Sequence, residues 1–473
     1  MRSFRITCLI VAFAFLQALT GCVSQPTGNT GSTTNTTASN TTNTNTTATG
    51  ASRTNVNYLP VTLPVLDALF YEDEAFKAAL KERLKLTDEQ IAELQKIARE
   101  ETAKLNEGGD AEYTGTTTAA RESAAAKIKA VIGEEKAAQL ADLIRERWGG
   151  RTEGDSTASA TSAANAVPKD TRIVVNAPAY RMDVFENGQL VKSYKVGIGY
   201  PEFPLPTGRR EAKQIIFNPT WTPPYSPWVK ETAEVKKGQP VKAGSRANPL
   251  GIAKIPIGLP SLIHGGKALA QIGGFASHGC VGLTDTQMKE FVQLMARIGG
   301  ATLSEEQVAD YAKNKTETKT VSLNNAVTID LRYETIVVED GKLYIYRDVY
   351  DHDTNTEEHL RQVLQAYGVT LEQFSEQERQ QTLAALKEMS RDARGRTDAE
   401  QGNANASASP TPSAQKGANK NENKAPEVTR TVKGKKEIVI EVAALKGKGY
   451  PAPVAMSTGG ASAKESADTK KRR

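Results

Sequence analysis

The sequence has 473 residues, a length that predicts about two or three domains rather than one. Hydrophobic residues make up only 38% of the chain, so part of it should be linker rather than core. The formal net charge of +5 is small for this length, and no basic run is interleaved with aromatic residues. We therefore expect no nucleic-acid partner.

The first residues have the pattern of a signal peptide. Arg2 and Arg5 precede an apolar run, Ile6–Leu19, that is too short to remain as a membrane span. The run ends in Leu19-Thr20-Gly21-Cys22, which resembles the lipobox of bacterial lipoproteins. That resemblance implies cleavage after residue 21, a lipid on Cys22 and a periplasmic protein anchored to a cell membrane. The alternative is an ordinary secretory signal with an incidental cysteine.

Two further segments precede the first strand pattern. Residues 22–57 are almost all Thr, Asn, Ser and Gly, and predict a flexible tether with a reach of roughly 30–35 Å. Residues 58–148 predict an all-α accessory domain with helices at Leu66–Leu84, from Thr87, and at Arg121–Arg147. Thr87 and Gln90 have the spacing of a capping box. This helix start resembles small periplasmic proteins of the Spy chaperone type. The alternative is an ordinary three-helix bundle, in which the same helix start also occurs.

After a Ser/Thr/Ala-rich linker at 149–168, the pattern changes from helix to strand. Asn187-Gly188 and Asp340-Gly341 predict hairpin turns. The predicted strands are 172–176, 181–185, 190–196, 214–217, 252–257, 261–264, 327–331, 335–338 and 343–346, and the predicted helices are 285–298, 305–314, 356–367 and 373–394. We assign 169–370 to one β-rich domain with capping helices, 371–395 to a helical extension, 396–434 to disorder, and 435–473 to a basic tail with one strand at 438–442. The fold class is mixed α+β and multidomain.

Of the three cysteines, Cys8 should be lost with the signal peptide and Cys22 should be lipidated. Cys280 then has no disulfide partner. It ends the stretch Ser277-His278-Gly279-Cys280, and His264 lies upstream in Ile263-His264-Gly265-Gly266. A cysteine, two histidines and neighbouring glycines indicate a nucleophile, a base and an oxyanion site.

These motifs resemble the L,D-transpeptidase catalytic domain, the YkuD or ErfK family, from Thr171 to about Tyr350. The family signature is His-Gly, a spacer, and then [Ser/Thr]-His-Gly-Cys. Four supporting stretches match in the family's order: Val196-Gly197-Ile198-Gly199, Pro206-Thr207-Gly208, Asn218-Pro219-Thr220-Trp221-Thr222-Pro223-Pro224 and Asn248-Pro249-Leu250-Gly251. The sequence departs from the family twice: Gly266 stands where Thr is frequent, and Gly282 where Arg or Asn is common.

The resemblance implies a role for each motif residue. Cys280 would be the nucleophile and His264 its base, with the second ring nitrogen of His264 oriented by the carbonyl of Gly265. The backbone amides of His278, Gly279 and Cys280 would form the oxyanion hole. Ser277 would give hydrogen-bonding support, and the His278 side chain would contact substrate or maintain the site.

The resemblance also implies a reaction. Cys280 would attack the bond between the diamino acid and D-Ala in a peptidoglycan stem peptide, without metal or cofactor. D-Ala would leave, and an amine on another stem or on a wall-attached lipoprotein would take the acyl group. A hydrolase on the same scaffold and a non-catalytic wall-binding lipoprotein are the alternatives.

Other interpretations of individual residues remain open. Cys280 can be an unreactive buried thiol and His264 a structural histidine, or both can bind a metal together with His278. Asp351-His352-Asp353 is better explained by solvated charges before a helix than by a metal site. Trp221 and Trp228 are expected in a packed loop rather than a sugar-stacking platform.

Overall fold

A computed structural model describes residues 59–103, 117–148, 165–226, 228–397 and 430–460. The predicted signal peptide, Cys22, the tether, most of the 149–168 linker and most of the predicted disordered segment lie outside these ranges. Within them, no helix combines the length and apolarity needed to cross a membrane. The predicted mixed α+β class is confirmed, with helices in the N-terminal part and a curled sheet after residue 170.

The helical region, residues 59–103 and 117–148, buries one shared apolar core. Its helices are α1 (Leu63–Glu72), α2 (Glu74–Glu82), α3 (Asp88–Ala103) and α4 (Thr117–Trp148). The prediction of one helix over 66–84 was wrong, because the Asp73 carboxylate accepts a hydrogen bond from Phe76 N (3.0 Å) and starts a second helix. The predicted capping box is confirmed by reciprocal bonds between Thr87 and Gln90 of 3.1 and 3.2 Å. Gly133, with φ +80°, interrupts the helical geometry of α4.

An eight-stranded sheet carries the central part of the chain, in the order β3-β2-β1-β10-β5-β6-β7-β9. Its strands are β1 (Arg172–Asn176), β2 (Arg181–Glu186), β3 (Gln189–Lys195), β5 (Gly208–Phe217), β6 (Ala253–Pro256), β7 (Leu262–His264), β9 (Val281–Gly282) and β10 (Lys319–Arg332). The short strands β4 (Ile198–Gly199) and β8 (Phe275–Ser277) pair separately and in parallel. The hairpin predicted at Asn187-Gly188 is confirmed, with both residues at positive φ.

Two helices cover this sheet, α5 (Asp285–Ile298) and α6 (Glu305–Lys313). The buried face of α5 includes Met288, Phe291, Val292 and Met295, which share one core with the strands. Thr284 caps α5 through its side chain, as its sequence predicts. The N-terminus of α5 therefore lies directly after β9 and close to the end of β7.

A second, three-stranded sheet is formed by β11 (Ile336–Glu339), β12 (Lys342–Tyr346) and β13 (Glu437–Glu441). It shares a separate core with α7 (Glu357–Ala366) and α8 (Glu376–Met389). The structure thus groups the predicted extension and the late strand into one unit with the end of the predicted 169–370 domain. No local signal marks that partnership, because β13 pairs with a strand almost a hundred residues earlier.

The last described residues run back along the edge of the eight-stranded sheet. Ser193 N donates to Val454 O (2.9 Å), and Lys195 N donates to Ser457 O (2.8 Å). These bonds cover the free edge of β3, where unpaired backbone groups would otherwise face solvent. The predicted basic tail is therefore docked over part of its length.

Candidate active site

The strand order brings His264 beside the cysteine motif. His264 ends β7 and pairs with Gly282 of β9 in parallel register, while Ile263 pairs with Val281. Cys280 immediately precedes β9, so it lies at the beginning of the strand next to the histidine. The fifteen positions between the two residues are closed into a loop by this pairing.

The cysteine loop, residues 275–282, is held by main-chain and hydroxyl contacts. Ser277 O accepts from Tyr200 N (2.8 Å), and Gly279 O accepts from the Ser261 hydroxyl (2.9 Å). Gly279 has φ +94°, a conformation that side-chain-bearing residues rarely adopt. The turn before Cys280 is thereby fixed in one shape.

Ser277 binds both backbone groups of Cys280. Its hydroxyl donates to Cys280 O (2.6 Å) and accepts from Cys280 N (3.0 Å), and the side chain is buried. This differs from the expected oxyanion hole of three amides, because the Cys280 amide is already engaged. A substrate oxyanion could use that amide only by displacing the Ser277 hydroxyl.

His264 is buried, with 3% of its surface exposed. Its Nδ1 lies 2.8 Å from Gly265 O. A carbonyl oxygen only accepts, so Nδ1 carries the proton and Nε2 keeps its lone pair. Burial, and then the charge of Lys267, lower the pKa of His264 to about 3 from its ordinary 6.5, so the ring is neutral at neutral pH.

Cys280 is the only cysteine in the described ranges, and its thiol is free and half-buried. Burial raises its pKa, while a backbone hydrogen bond with Leu262 and the charge of Lys267 lower it in part. The thiol therefore lies against β7, the strand that carries His264. Together, the two pKa shifts indicate a resting pair of neutral thiol and neutral imidazole.

The departure from the family at Gly266 has a backbone explanation. Gly266 has φ +77°, and a Cβ there would lie 2.7 Å from Pro249 O, so glycine is required. Its amide donates to Asp285 Oδ1 (2.8 Å), which also accepts from Ile252 N (3.2 Å). Asp285, the first residue of α5, thus anchors the loop that follows His264.

The departure at Gly282 leaves space that another side chain fills. The three atoms nearest to a Cβ placed on Gly282 all belong to Lys267, at 2.7 to 3.3 Å. Lys267 is also fixed through its backbone, because its amide donates to Leu283 O (3.1 Å). The sequence contains no signal for this contact, since one lysine in a glycine-rich loop is unremarkable.

His278 lies among aromatic rings. Trp228 stacks face to face on its imidazole, with centroids 3.7 Å apart and planes 9° apart. Tyr200 and Phe203 meet the same ring edge to face at 5.1 and 5.0 Å. Trp221 in turn stacks on Trp228 (centroids 6.2 Å apart), so these tryptophans form a packed loop here.

Two of these rings also join the helical region. Phe203 is 1% exposed and belongs to the apolar core of that region, and Trp228 packs against it. Nearby, the Arg99 guanidinium lies over the rings of Tyr71 (3.4 Å) and Tyr225 (4.8 Å). The helical region therefore contacts the same aromatic cluster that holds His278, a connection the sequence did not predict.

Metal binding finds no support in the side-chain geometry. Across the described residues, no three His, Cys, Asp or Glu side chains are grouped so that they could hold an ion. That applies to the Cys280, His264 and His278 set as well as to 351–353. The arrangement around Cys280 instead provides a thiol, a neutral imidazole with a defined tautomer, and a tight glycine turn.

Comparison with known proteins assigns the central part of the chain. Residues 170–320 match the family model of the L,D-transpeptidase catalytic domain, YkuD. Curated proteins gave no significant match.

Similar solved structures include the catalytic domain of an E. faecium L,D-transpeptidase, with 17% identity over 35% of this chain and 100% of that chain, and a TM-score of 0.23. An L,D-transpeptidase from Mycobacterium smegmatis has 14% identity over 34% of this chain and 58% of that chain, with a TM-score of 0.21. L,D-transpeptidase 1 of Mycobacterium tuberculosis has 15% identity, 34% and 61% coverage and a TM-score of 0.19. The match thus spans less than two thirds of either mycobacterial chain. From the family model, we identify residues 170–320 as a catalytic domain of the YkuD L,D-transpeptidase family.

Proposed function

We propose that this protein is a peptidoglycan L,D-transpeptidase that uses Cys280 as nucleophile and His264 as general base. The observation that carries the proposal is the hydrogen bond of His264 Nδ1 to Gly265 O, on the strand beside Cys280. It leaves Nε2 as a proton acceptor at the site of a free thiol. The substrate class is the stem peptide on which the YkuD family acts.

The acyl donor is a tetrapeptide stem with D-Ala at its end. As Cys280 Sγ attacks the carbonyl between the diamino acid and D-Ala, its proton passes to His264 Nε2. The carbonyl becomes an oxyanion, which the backbone amides of the Gly279 turn stabilise. The C–N bond then breaks, the D-Ala nitrogen takes the proton from His264, and a thioester with Cys280 remains.

The acyl acceptor completes the reaction. Its amine attacks the thioester and transfers a proton to His264, and the C–S bond breaks. The released thiolate regains that proton, which restores the neutral pair. The acceptor is the side-chain amine of another stem peptide, giving a 3→3 cross-link, or an amine of a wall-attached lipoprotein.

The low pKa of His264 affects the two halves of the cycle in opposite ways. At neutral pH the imidazole has a free lone pair, but its low pKa makes it a weak base toward the thiol. Once protonated, the same buried ring is a strong acid, which favours rapid protonation of the departing D-Ala amine. Proton transfer therefore accompanies bond formation, and a stable thiolate is not required beforehand.

We also propose that the protein is periplasmic and anchored to a membrane through a lipid on Cys22. The support is the Leu19-Thr20-Gly21-Cys22 stretch and the Thr/Asn-rich residues after it. Metabolic labelling with a radioactive fatty acid should mark the wild-type protein. The Cys22→Ala variant should lose that label, and label that persists in it would refute the assignment.

The enzymatic proposal is tested with the purified protein and disaccharide-tetrapeptide, followed by mass spectrometry of the products. A 3→3 dimer that disappears in Cys280→Ala and His264→Gln supports transfer to an amine. If tripeptide forms without dimer, the protein is a hydrolase rather than a transferase. If the tetrapeptide stays intact and a carbapenem does not acylate Cys280, both catalytic readings are wrong.

A further inference from the structure

We propose that Lys267 is a positioning residue of this site: its side chain fills the space beside Gly282, and its ammonium group stabilises negative charge on Cys280. The inference rests on the proposed function, because it concerns the proton affinity of that nucleophile. Lys267 lies in the loop after β7, three positions beyond His264. Nothing in the family match assigns it a role.

The position of the Lys267 side chain is set by Gly282. A Cβ on Gly282 would lie 2.7 Å from Lys267 Cγ, 3.3 Å from Cδ and 3.0 Å from Cε. Three successive carbons of the lysine thus lie over this glycine, at the second position after Cys280. A larger residue at 282 would push the lysine away, so the two residues form a matched pair.

The charge of Lys267 acts on the thiol rather than on a carboxylate. Lys254 Nζ donates to Thr220 O (3.1 Å), whereas the described residues place no carboxylate or hydrogen-bond acceptor against Lys267 Nζ. The charge of Lys267 lowers the pKa of Cys280, and the Cys280 thiolate raises the pKa of Lys267. Burial raises the pKa of Cys280 and lowers that of Lys267, so it disfavours the charged form of both groups. An opposite charge nearby offsets that penalty.

Among the residues that the structure describes, the other charged groups around Cys280 do not provide this stabilisation. His264 of β7 is neutral, and Lys254 of β6 is held by Thr220 O. The Asp285 carboxylate of α5 accepts from two backbone amides, and the His278 ring of the cysteine loop is stacked on Trp228. Lys267 is the cation whose charge bears on the pKa of Cys280.

Lys267 also lowers the pKa of His264, because its positive charge disfavours the imidazolium. This repulsion decides which protonation state of the Cys280–His264 pair Lys267 favours. In the pair of thiolate and imidazolium, the two effects of the lysine partly cancel. In the state with a thiolate and a neutral imidazole, only the attraction remains. Lys267 should therefore lower the pH at which Cys280 becomes reactive toward a small neutral electrophile.

The test measures the rate of Cys280 alkylation by iodoacetamide between about pH 6 and pH 10 in the full-length protein, by mass spectrometry of the Cys280 peptide. Lys267→Met should raise the midpoint of this profile by about one pH unit, since a nearby charge shifts a pKa by that order. Lys267→Arg, which keeps the charge, should stay near the wild type. Lys267→Gln serves as a second uncharged variant should the Met variant fold poorly.

A charge relocation provides the sharpest control. Gly282→Lys combined with Lys267→Ala moves the ammonium to the neighbouring strand and removes the stem that would obstruct it. This double variant should recover most of the midpoint shift, whereas Lys267→Ala alone should not. A midpoint unchanged in both Lys267→Met and Lys267→Gln, or an equal shift in Lys267→Arg, would overturn the inference.

Alkylation needs no peptidoglycan, so this test and the test of the proposed function fail separately. A protein with the expected midpoint shifts but no product from disaccharide-tetrapeptide would contradict the transpeptidase and keep the role of Lys267. If the protein forms the dimer but the alkylation midpoint does not change in the Lys267 variants, the transpeptidase is supported and the role of Lys267 is contradicted.

Discussion

Replacing Phe203 by leucine tests whether the helical region helps to hold the cysteine loop. Phe203 is 1% exposed, lies in the core of the helical region, and meets the His278 ring edge to face at 5.0 Å. Leucine keeps the site apolar but loses an aromatic contact worth about 0.5–1.5 kcal/mol and leaves part of the ring volume empty. We expect a loss of roughly 1–3 kcal/mol in the free energy of unfolding, measured by urea denaturation.

The functional consequence separates Phe203 from an ordinary core residue. Phe76 is fully buried in the same core and meets Phe70 edge to face at 5.5 Å, away from His278. Phe76→Leu should therefore lower the free energy of unfolding by a similar amount. Only Phe203→Leu should slow the acylation of Cys280 by a carbapenem, by about 10-fold, because small displacements of reacting groups carry penalties of that order. Equal acylation rates in the two variants, at matched stability, would refute the coupling.

Further predictions concern single contacts. Ser277→Ala leaves the backbone N–H and C=O of Cys280 without their partner, and should lower the unfolding free energy by about 1–3 kcal/mol in urea denaturation, with Ser277→Thr milder. Because the pKa of His264 is depressed below 6.5, the unfolded state binds the extra proton. The contribution of neutral His264 to the free energy of unfolding is complete above pH 6.5. On acidification that free energy should fall by up to about 1.4 kcal/mol per pH unit, and His264→Gln should flatten this slope. A buried guanidinium, that of Arg347, donates to Lys435 O and to the main-chain and side-chain oxygens of Glu388. Arg347→Leu should therefore accelerate hydrogen exchange in β13, and unchanged exchange would contradict this role.

Local chemistry made much of the fold predictable. The capping box at Thr87 and Gln90, the hairpin at Asn187-Gly188 and the cap at Thr284 are all confirmed, because their signals lie within a few residues. The break at Asp73 was missed because an apolar pattern runs through it, while the capping bond to Phe76 N starts a new helix. Capping by a single aspartate outweighed the periodicity there.

Long-range pairing could not be derived from the sequence. The parallel partnership of β1 with β10 and the pairing of β13 with β12 join segments separated by about a hundred residues or more, with no turn signal between them. At the site, the motif singled out Cys280 and His264 as the proposed nucleophile and base, but not Lys267, whose position depends on the missing side chain at Gly282. The contact of Phe203 with His278 likewise appears only once the helical region and the sheet are packed together.

Trapping the intermediate tests whether Cys280 carries the acyl group during the reaction. The purified protein is mixed with disaccharide-tetrapeptide, quenched in acid at short times, and its peptides are analysed by mass spectrometry while free D-Ala is measured in parallel. We expect an acyl group on the Cys280 peptide in step with D-Ala release, and neither of these in Cys280→Ala. D-Ala release without a modified Cys280 peptide, or release that persists in Cys280→Ala, would contradict this role of Cys280.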